Sequence, residues 1–298
     1  MGEIADALRR ARAESPDEKG AQPTTPRPDA SEIAQAIVES ALPNADAQRD
    51  WTGAAPLGGE PGHAAPQSLD AQAGQLALPG EETPGGELCR HLALRVHSEL
   101  ERRGARSLAI VSALRNEGKS TVACNLAIAL ASLTRGRGVA LVDLDLRKPS
   151  VASVLGITAK IGIERVLDGQ ARLAEAVVAI DEPALDVFPA VEPQRNAHEL
   201  LLQPAFPELL RQLEARYAAI VFDTPPTLLV PDTRLILRHV PVCAPIARTG
   251  STRAHAFRQM VDVLPRGQIL GPILNGNRPP SHSRDYYYYG DGHDDSDA

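Results

Sequence analysis

Residues 107–121, SLAIVSALRNEGKST, confine this chain to a narrow set of folds. The run SLAIVS reads as a buried strand, and from Lys119 to Leu133 apolar positions recur with helical periodicity. Between them lies a short polar loop ending in Gly118, Lys119, Ser120 and Thr121. A strand that enters a helix through such a loop brings a row of backbone N–H groups and the positive end of a helix to one point. That is what a phosphate chain needs. Lys119 is placed to reach β- and γ-phosphates as a point charge, Ser120 to ligate Mg²⁺, and Thr121 to donate to the α-phosphate. Glu117 and Gly118 belong to the same cofactor-binding loop. Strict GxxxxGKS spacing would put glycine at position 113, where this chain has Ala113.

Two further strand ends carry acids. In ALVDLDLRKPS, residues 140–150, an apolar run leads into Asp143 and Asp145, which alternation places on one side of the chain. Two carboxylates beside a phosphate site can hold Mg²⁺ or accept a proton from a nucleophile, and Arg147 could clamp a phosphate. In AIVFDTPPTLL, residues 219–229, an apolar run ends at Asp223, a Walker B pattern whose acid reaches the metal. Pro225 and Pro226 stiffen the loop that follows.

Further apolar runs at 185–190 and 269–275, with helical periodicity at 205–217, extend the alternation of short strands and helices. The expected fold is a doubly wound α/β domain with a mostly parallel sheet covered on both faces. Pro245, inside the run PVCAPIA, is awkward for a central strand. The domain is expected over residues 86–280. Residues 1–85 are rich in Pro, Ala, Gly, Gln and Asp, and are expected to be a disordered extension without a core. Two short helices interrupt it. One carries Ile4, Ala7, Leu8 and Ala11; the other is capped by Asp29 and Glu32 and carries Ile33, Ala36 and Ile37. Residues 281–298 form a polar tail with four consecutive tyrosines, Tyr286, Tyr287, Tyr288 and Tyr289, among aspartates.

A net charge of −7 argues against a general nucleic-acid binder. Cys89, Cys124 and Cys243 are widely spaced, as expected for buried thiols in a reducing compartment. With no apolar run long enough to span a bilayer and no signal-like start, the chain is expected to be cytoplasmic.

The trio GKST, VDLDLRKP and FDTPP resembles the bacterial tyrosine kinases (BY-kinases, CpsD/CapB-like) of capsule and exopolysaccharide synthesis, a branch of the MinD/ParA-like P-loop ATPases. The resemblance extends over roughly residues 87–289. It takes in Asn196, Glu199, Leu200 and Leu201, the Leu274–Asn275 strand end and the tyrosine cluster. It implies a protein-tyrosine autokinase that uses ATP and Mg²⁺. Lys119, Ser120 and Thr121 would bind nucleotide, with Asn275 also in the cofactor site; Asp143 would be the base, and Asp145 and Asp223 would hold the metal with Ser120. It also implies homo-oligomers, phosphorylation of Tyr286 to Tyr289, and a membrane-embedded polysaccharide chain-length (co-polymerase) protein that activates the chain and recruits it to the inner face of the plasma membrane. Two departures stand out. The family's Pro-Gly-Glu before Gly-Lys is Arg115, Asn116 and Glu117 here, where asparagine suits a left-handed backbone. In the Glu-x-x-Arg-x-x-Arg helix, Glu87 and Arg90 match but Ala93 replaces the second arginine. The rivals are a MinD/ParA-like ATPase switch and a nucleotide-binding scaffold, neither of which needs a tyrosine cluster.

Overall fold

A computed structural model describes residues 57, 66–69, 76, 84–134 and 138–276. The chain divides into two units, 1–43 and 44–298, and every described residue lies in the second. The expected helices around Ile4 and Ile33 and the tail tyrosines Tyr286 to Tyr289 lie outside the described residues.

Seven strands form one sheet: β1 (Ser107–Ser112), β2 (Val139–Asp143), β3 (Val178–Ile180), β4 (Leu185–Phe188), β5 (Ala219–Asp223), β6 (Val242–Arg248) and β7 (Ile273–Asn275). Their order is β3-β4-β2-β5-β1-β6-β7, parallel throughout except for the antiparallel β3–β4 pair. The helices are α1 (Pro84–Arg103), α2 (Lys119–Thr134), α3 (Val151–Leu155), α4 (Ile163–Leu167), α5 (Ala197–Leu202), α6 (Ala205–Arg216), α7 (Asp232–Ile236) and α8 (Ala254–Val263). Along β1, Leu108 and Ile110 join a core with α1, α2 and α3, while Ala109 and Val111 join a second core with α4 to α8. Both faces are covered, so the strands are apolar without alternation, as a doubly wound sheet requires.

On α1, Ala93, Val96 and Leu100 recur at helical spacing and are buried. Ala93 therefore occupies a packed position where the family pattern carries a charge.

Three strand expectations are corrected. β3 was not foreseen, because three residues between turns give no periodicity to detect. The run 269–275 is a strand only from Ile273; Ile269 makes an isolated bridge to Cys243, and Gly271 and Pro272 interrupt the ladder. That interruption explains Pro245 in an interior strand. The Cys243 carbonyl accepts from Leu270 N–H at 2.9 Å, so Pro245, two residues on, turns its missing N–H toward the same gap.

The coreless reading of residues 1–85 also fails at particular points. Leu57 is 3% exposed and packs in the core with Phe188 and Tyr217. Its N–H donates to Tyr217 Oη at 3.1 Å, and that hydroxyl donates to Asp186 Oδ2 at 2.6 Å. Gln67 N–H donates to Ala179 O at 2.9 Å, and its side-chain amide pairs with both backbone groups of Thr158. Leu57→Ala is expected to destabilise the domain by about 2–3 kcal/mol, as a buried leucine truncation does. Deleting residues 1–80 should cost at least as much, since it also removes the Gln67 bonds. Urea denaturation checks both; unchanged midpoints would show that this segment is not packed in solution.

Candidate active site

The phosphate loop spans residues 113–118, between β1 and α2. Asn116 adopts φ 62°, the only non-glycine with positive φ among the described residues, so the asparagine does what its chemistry allows. Gly118 sits at φ 90°, and a Cβ there would lie 2.0 Å from Asn275 Nδ2. Asn275 Nδ2 instead donates to Glu117 O at 3.0 Å, tying β7 to the loop. Glu117 faces inward rather than toward a ligand. Its carboxylate accepts from Leu114 N–H at 2.8 Å and from Thr252 Oγ1, and Thr252 Oγ1 accepts Arg248 N–H at 2.8 Å. Arg248 completes the brace, donating to Asn116 O at 3.0 Å. Glu117 and Asn275 thus shape the loop from behind.

In front of the loop opens a cleft of about 390 Å³, lined by Gly118, Lys119, Ser120 and Thr121, by Asp145, Arg147, Lys148 and Ser150, and by Arg115 and Arg248. Asp143 and Asp223 are paired in register at the ends of β2 and β5, both fully buried. Asp143 is committed to the backbone: Oδ1 accepts from Asp145 N–H at 3.1 Å, and Oδ2 from Ser150 and Val151 N–H, each at 3.0 Å. It anchors the start of α3 and does not line the cleft, whereas Asp145 does. The sequence placed both acids on one side because it treated them as one strand, but β2 ends at Asp143.

Arg147 is committed as well. Its Nε and Nη2 donate to Asp232 at 2.6 and 3.2 Å, and Nη1 donates to Arg195 O at 2.7 Å. A phosphate clamp would have to compete with a buried carboxylate that already holds the guanidinium fork. The contributions of Ser150, Arg248, Thr252 and Asp232 escaped the sequence. Arg248, Thr252 and Asp232 sit in no phosphate-loop or strand-end pattern, Ser150 closes the second one without a role of its own there, and only the fold brings them together.

Burial pushes Asp143 well above the usual carboxylate range, and the Asp223 charge adds to it, against the Val151 and Ser150 N–H donors. Burial likewise raises Asp145, opposed by Lys119. Asp223 is pushed up to about 6 by burial, opposed by Lys119 and the Ser120 hydroxyl. Ser120 Oγ donates to Asp223 Oδ2 and accepts from Ser150 Oγ at 2.7 Å, while Asp223 Oδ1 is buried without a hydrogen-bond partner. An orphaned carboxylate oxygen beside a hydroxyl suits a hard cation. No group of three His, Cys, Asp or Glu side chains among the described residues could hold a metal alone. Mg²⁺ characteristically keeps waters and phosphate oxygens as ligands.

Loop, helix and buried acids define a P-loop nucleotide-binding domain of the ParA-like class. The ParA family model, described as NUBPL iron-transfer P-loop NTPase, matches residues 105–173. Tyrosine-protein kinase YwqD of Bacillus subtilis (strain 168) is 31% identical over 217 residues, covering 72% of this chain and 90% of that protein. The VpsO kinase domain superposes with a TM-score of 0.55 at 32% identity, covering 64% of this chain and 97% of that one. The succinoglycan biosynthesis transport protein ExoP of Rhizobium meliloti (strain 1021) is 27% identical over 194 residues, 63% of this chain but 24% of that protein. The chain belongs to the bacterial tyrosine kinase family.

An unfolded aspartate ionises near 3.9, whereas Asp223 in the folded chain ionises at about 6. Between those values the folded state holds a proton that the unfolded state has released. Stability from this group is therefore full below the lower value and is lost as pH rises through the window. Two pKa units correspond to at most about 3 kcal/mol. Nucleotide-free Asp223→Asn protein should show a flatter fall in urea midpoint between pH 4 and 7 than the wild type. Identical slopes would mean that Asp223 does not titrate there.

Proposed function

We propose that this chain transfers the γ-phosphoryl group of MgATP to tyrosine, with its own Tyr286 to Tyr289 as acceptors, and so regulates the synthesis and export of an exopolysaccharide. The observation that carries the reading is one cleft in which Lys119, Ser120 and Asp145 meet in front of Asp223, in a chain of this family with a four-tyrosine tail. The backbone N–H groups of residues 118–121 and the N-terminus of α2 bind the phosphates, and Lys119 draws charge from the β/γ bridge. Ser120 and Asp223 would hold Mg²⁺, which supplies charge neutralisation on the phosphate oxygens. The phenol oxygen forms a bond to the γ-phosphorus as the bond to the β-phosphate oxygen breaks and ADP leaves. The phenolic proton passes to Asp145, the carboxylate that faces the cleft. Asp145 thus takes the role of base, and Asp143 that of anchor for α3.

The tail reaches the site of another copy, so phosphorylation runs between chains of a homo-oligomer. No helix among the described residues is long and apolar enough to cross a membrane. We assign membrane recruitment and activation to a polysaccharide co-polymerase, in keeping with the transport role printed in ExoP's name.

With ATP and Mg²⁺, purified protein should acquire phosphate on Tyr286 to Tyr289, located by mass spectrometry. Lys119→Met should abolish both nucleotide binding and self-labelling, yet its tail should be labelled when mixed with active chain. Asp145→Asn should retain ATP affinity while phosphotransfer drops by roughly 10²-fold or more, as for a lost general base. ATP hydrolysis with no phosphotyrosine in any mixture would instead make the chain a switch ATPase.

A further inference from the structure

We infer that the apolar wall of the cleft, formed by Val154, Pro226, Leu229 and Val230, receives the aromatic ring of the acceptor tyrosine, with Leu229 as its main contact. The inference rests on the tyrosine-kinase reading and adds where that kinase recognises its acceptor. The sheet order orients the nucleotide. β1 carries the phosphate loop; β5 and β2, with the acids, lie on one side of it, and β6 and β7, with Arg248 and Asn275, on the other. The metal and γ-phosphate therefore face the β5 side. On that side, beyond Asp145 and Ser150, α3 and the loop after β5 contribute an apolar stretch of wall. Charged phosphate oxygens and a hydrated cation gain nothing from such a surface. A phenol ring does, since burying an aromatic side chain removes about 150–250 Å² from water.

The wall is preformed. Thr227 N–H donates to Ser112 O at 2.9 Å, Leu228 N–H to Ala113 O at 3.2 Å and Leu229 N–H to Pro226 O at 3.2 Å, which fixes the loop against the phosphate loop. Even so, Leu229 is 50% exposed, and Leu114, on the adjoining segment, 36%. The occupant is the C-terminal segment of a second copy of this chain. β7 ends at Asn275, which is bonded to the phosphate loop, and 22 residues of chain follow Gly276. Tyr286 follows Gly276 by ten residues, a span of up to about 33–36 Å when extended. A tyrosine ring against Leu229 then sets its hydroxyl between the γ-phosphate and Asp145.

The test uses the full chain with Tyr286 to Tyr289 changed to Ala, and a labelled peptide of residues 281–298 as acceptor. Leu229→Asp should raise the peptide KM about tenfold or more, with MgATP affinity unchanged within twofold, while Leu229→Phe stays near the parent. Peptide binding in the presence of MgADP, followed by fluorescence anisotropy, should weaken in parallel. Active transfer with an unchanged KM in Leu229→Asp overturns the acceptor wall and leaves the kinase reading standing. Leu229-dependent peptide binding without transfer by any form supports the wall and sinks the kinase reading. If Leu229→Asp dissociates copies in sedimentation while the KM holds, the exposed leucine is a contact between chains, and the proposal falls.

Discussion

The register between β2 and β5 sets Asp143 directly opposite Asp223 at adjacent, fully buried strand ends. Two carboxylates so placed repel one another and lose their water, and the fold has to answer both costs. It does so with backbone. Three N–H groups converge on Asp143, which fixes the chain from Asp145 to the first turn of α3. Ser120 and the Lys119 charge answer Asp223, which fixes the first turn of α2. The two helix starts that frame the cleft are thus positioned by the acids between them. One oxygen, Asp223 Oδ1, is left over, buried and without a hydrogen-bond partner.

Much of the fold was legible because a covered parallel sheet leaves continuous apolar runs. β1, β2 and β5, with α2, stood where those runs placed them. The misses have separate physical causes. Pro245 looked like a strand breaker because the sequence cannot tell which edge of a strand has a neighbour at a given residue. Here the ladder is open just where the N–H is missing. Leu57 was lost in a stretch whose composition argues against a core. Leu57 and Gln67 still make core and backbone contacts, because Tyr217 and Thr158 offer ready partners.

The site was legible by residue type and less so by role. Spacing marked Asp143, Asp145 and Asp223 as one chemical group, but no pattern reveals which carboxylate oxygens the backbone has already taken. Glu117 stands in the motif and looks like a ligand residue, yet its oxygens hold Leu114 and Thr252. The bracing partners come from β7 and the turn after β6, more than 130 residues away in the cases of Thr252 and Asn275. Asn116 is the instructive exception: a local conformational demand, a positive φ, is met by a residue whose intrinsic tolerance is visible in the sequence.

Arg147 gives the last link between the two walls of the cleft. It lies two residues beyond Asp145, and its partner Asp232 lies three residues beyond Leu229. Asp232 is 1% exposed and Arg147 only partly so, and two N–H···O bonds join them. Removing one partner of such a pair leaves a buried charge uncompensated, at roughly 3–5 kcal/mol. Thr233 Oγ1 adds a 2.6 Å bond to Pro225 O, closing the same loop on itself. The segment bearing the acidic group and the segment bearing the apolar wall are therefore fastened to each other rather than merely adjacent. Arg147, which its place beside the acids offered as a phosphate clamp, instead ties the segment of Asp145 to the segment of Leu229. On the proposed mechanism that tie sets the spacing between proton acceptor and acceptor ring, and most of the catalysis of phosphoryl transfer is positioning.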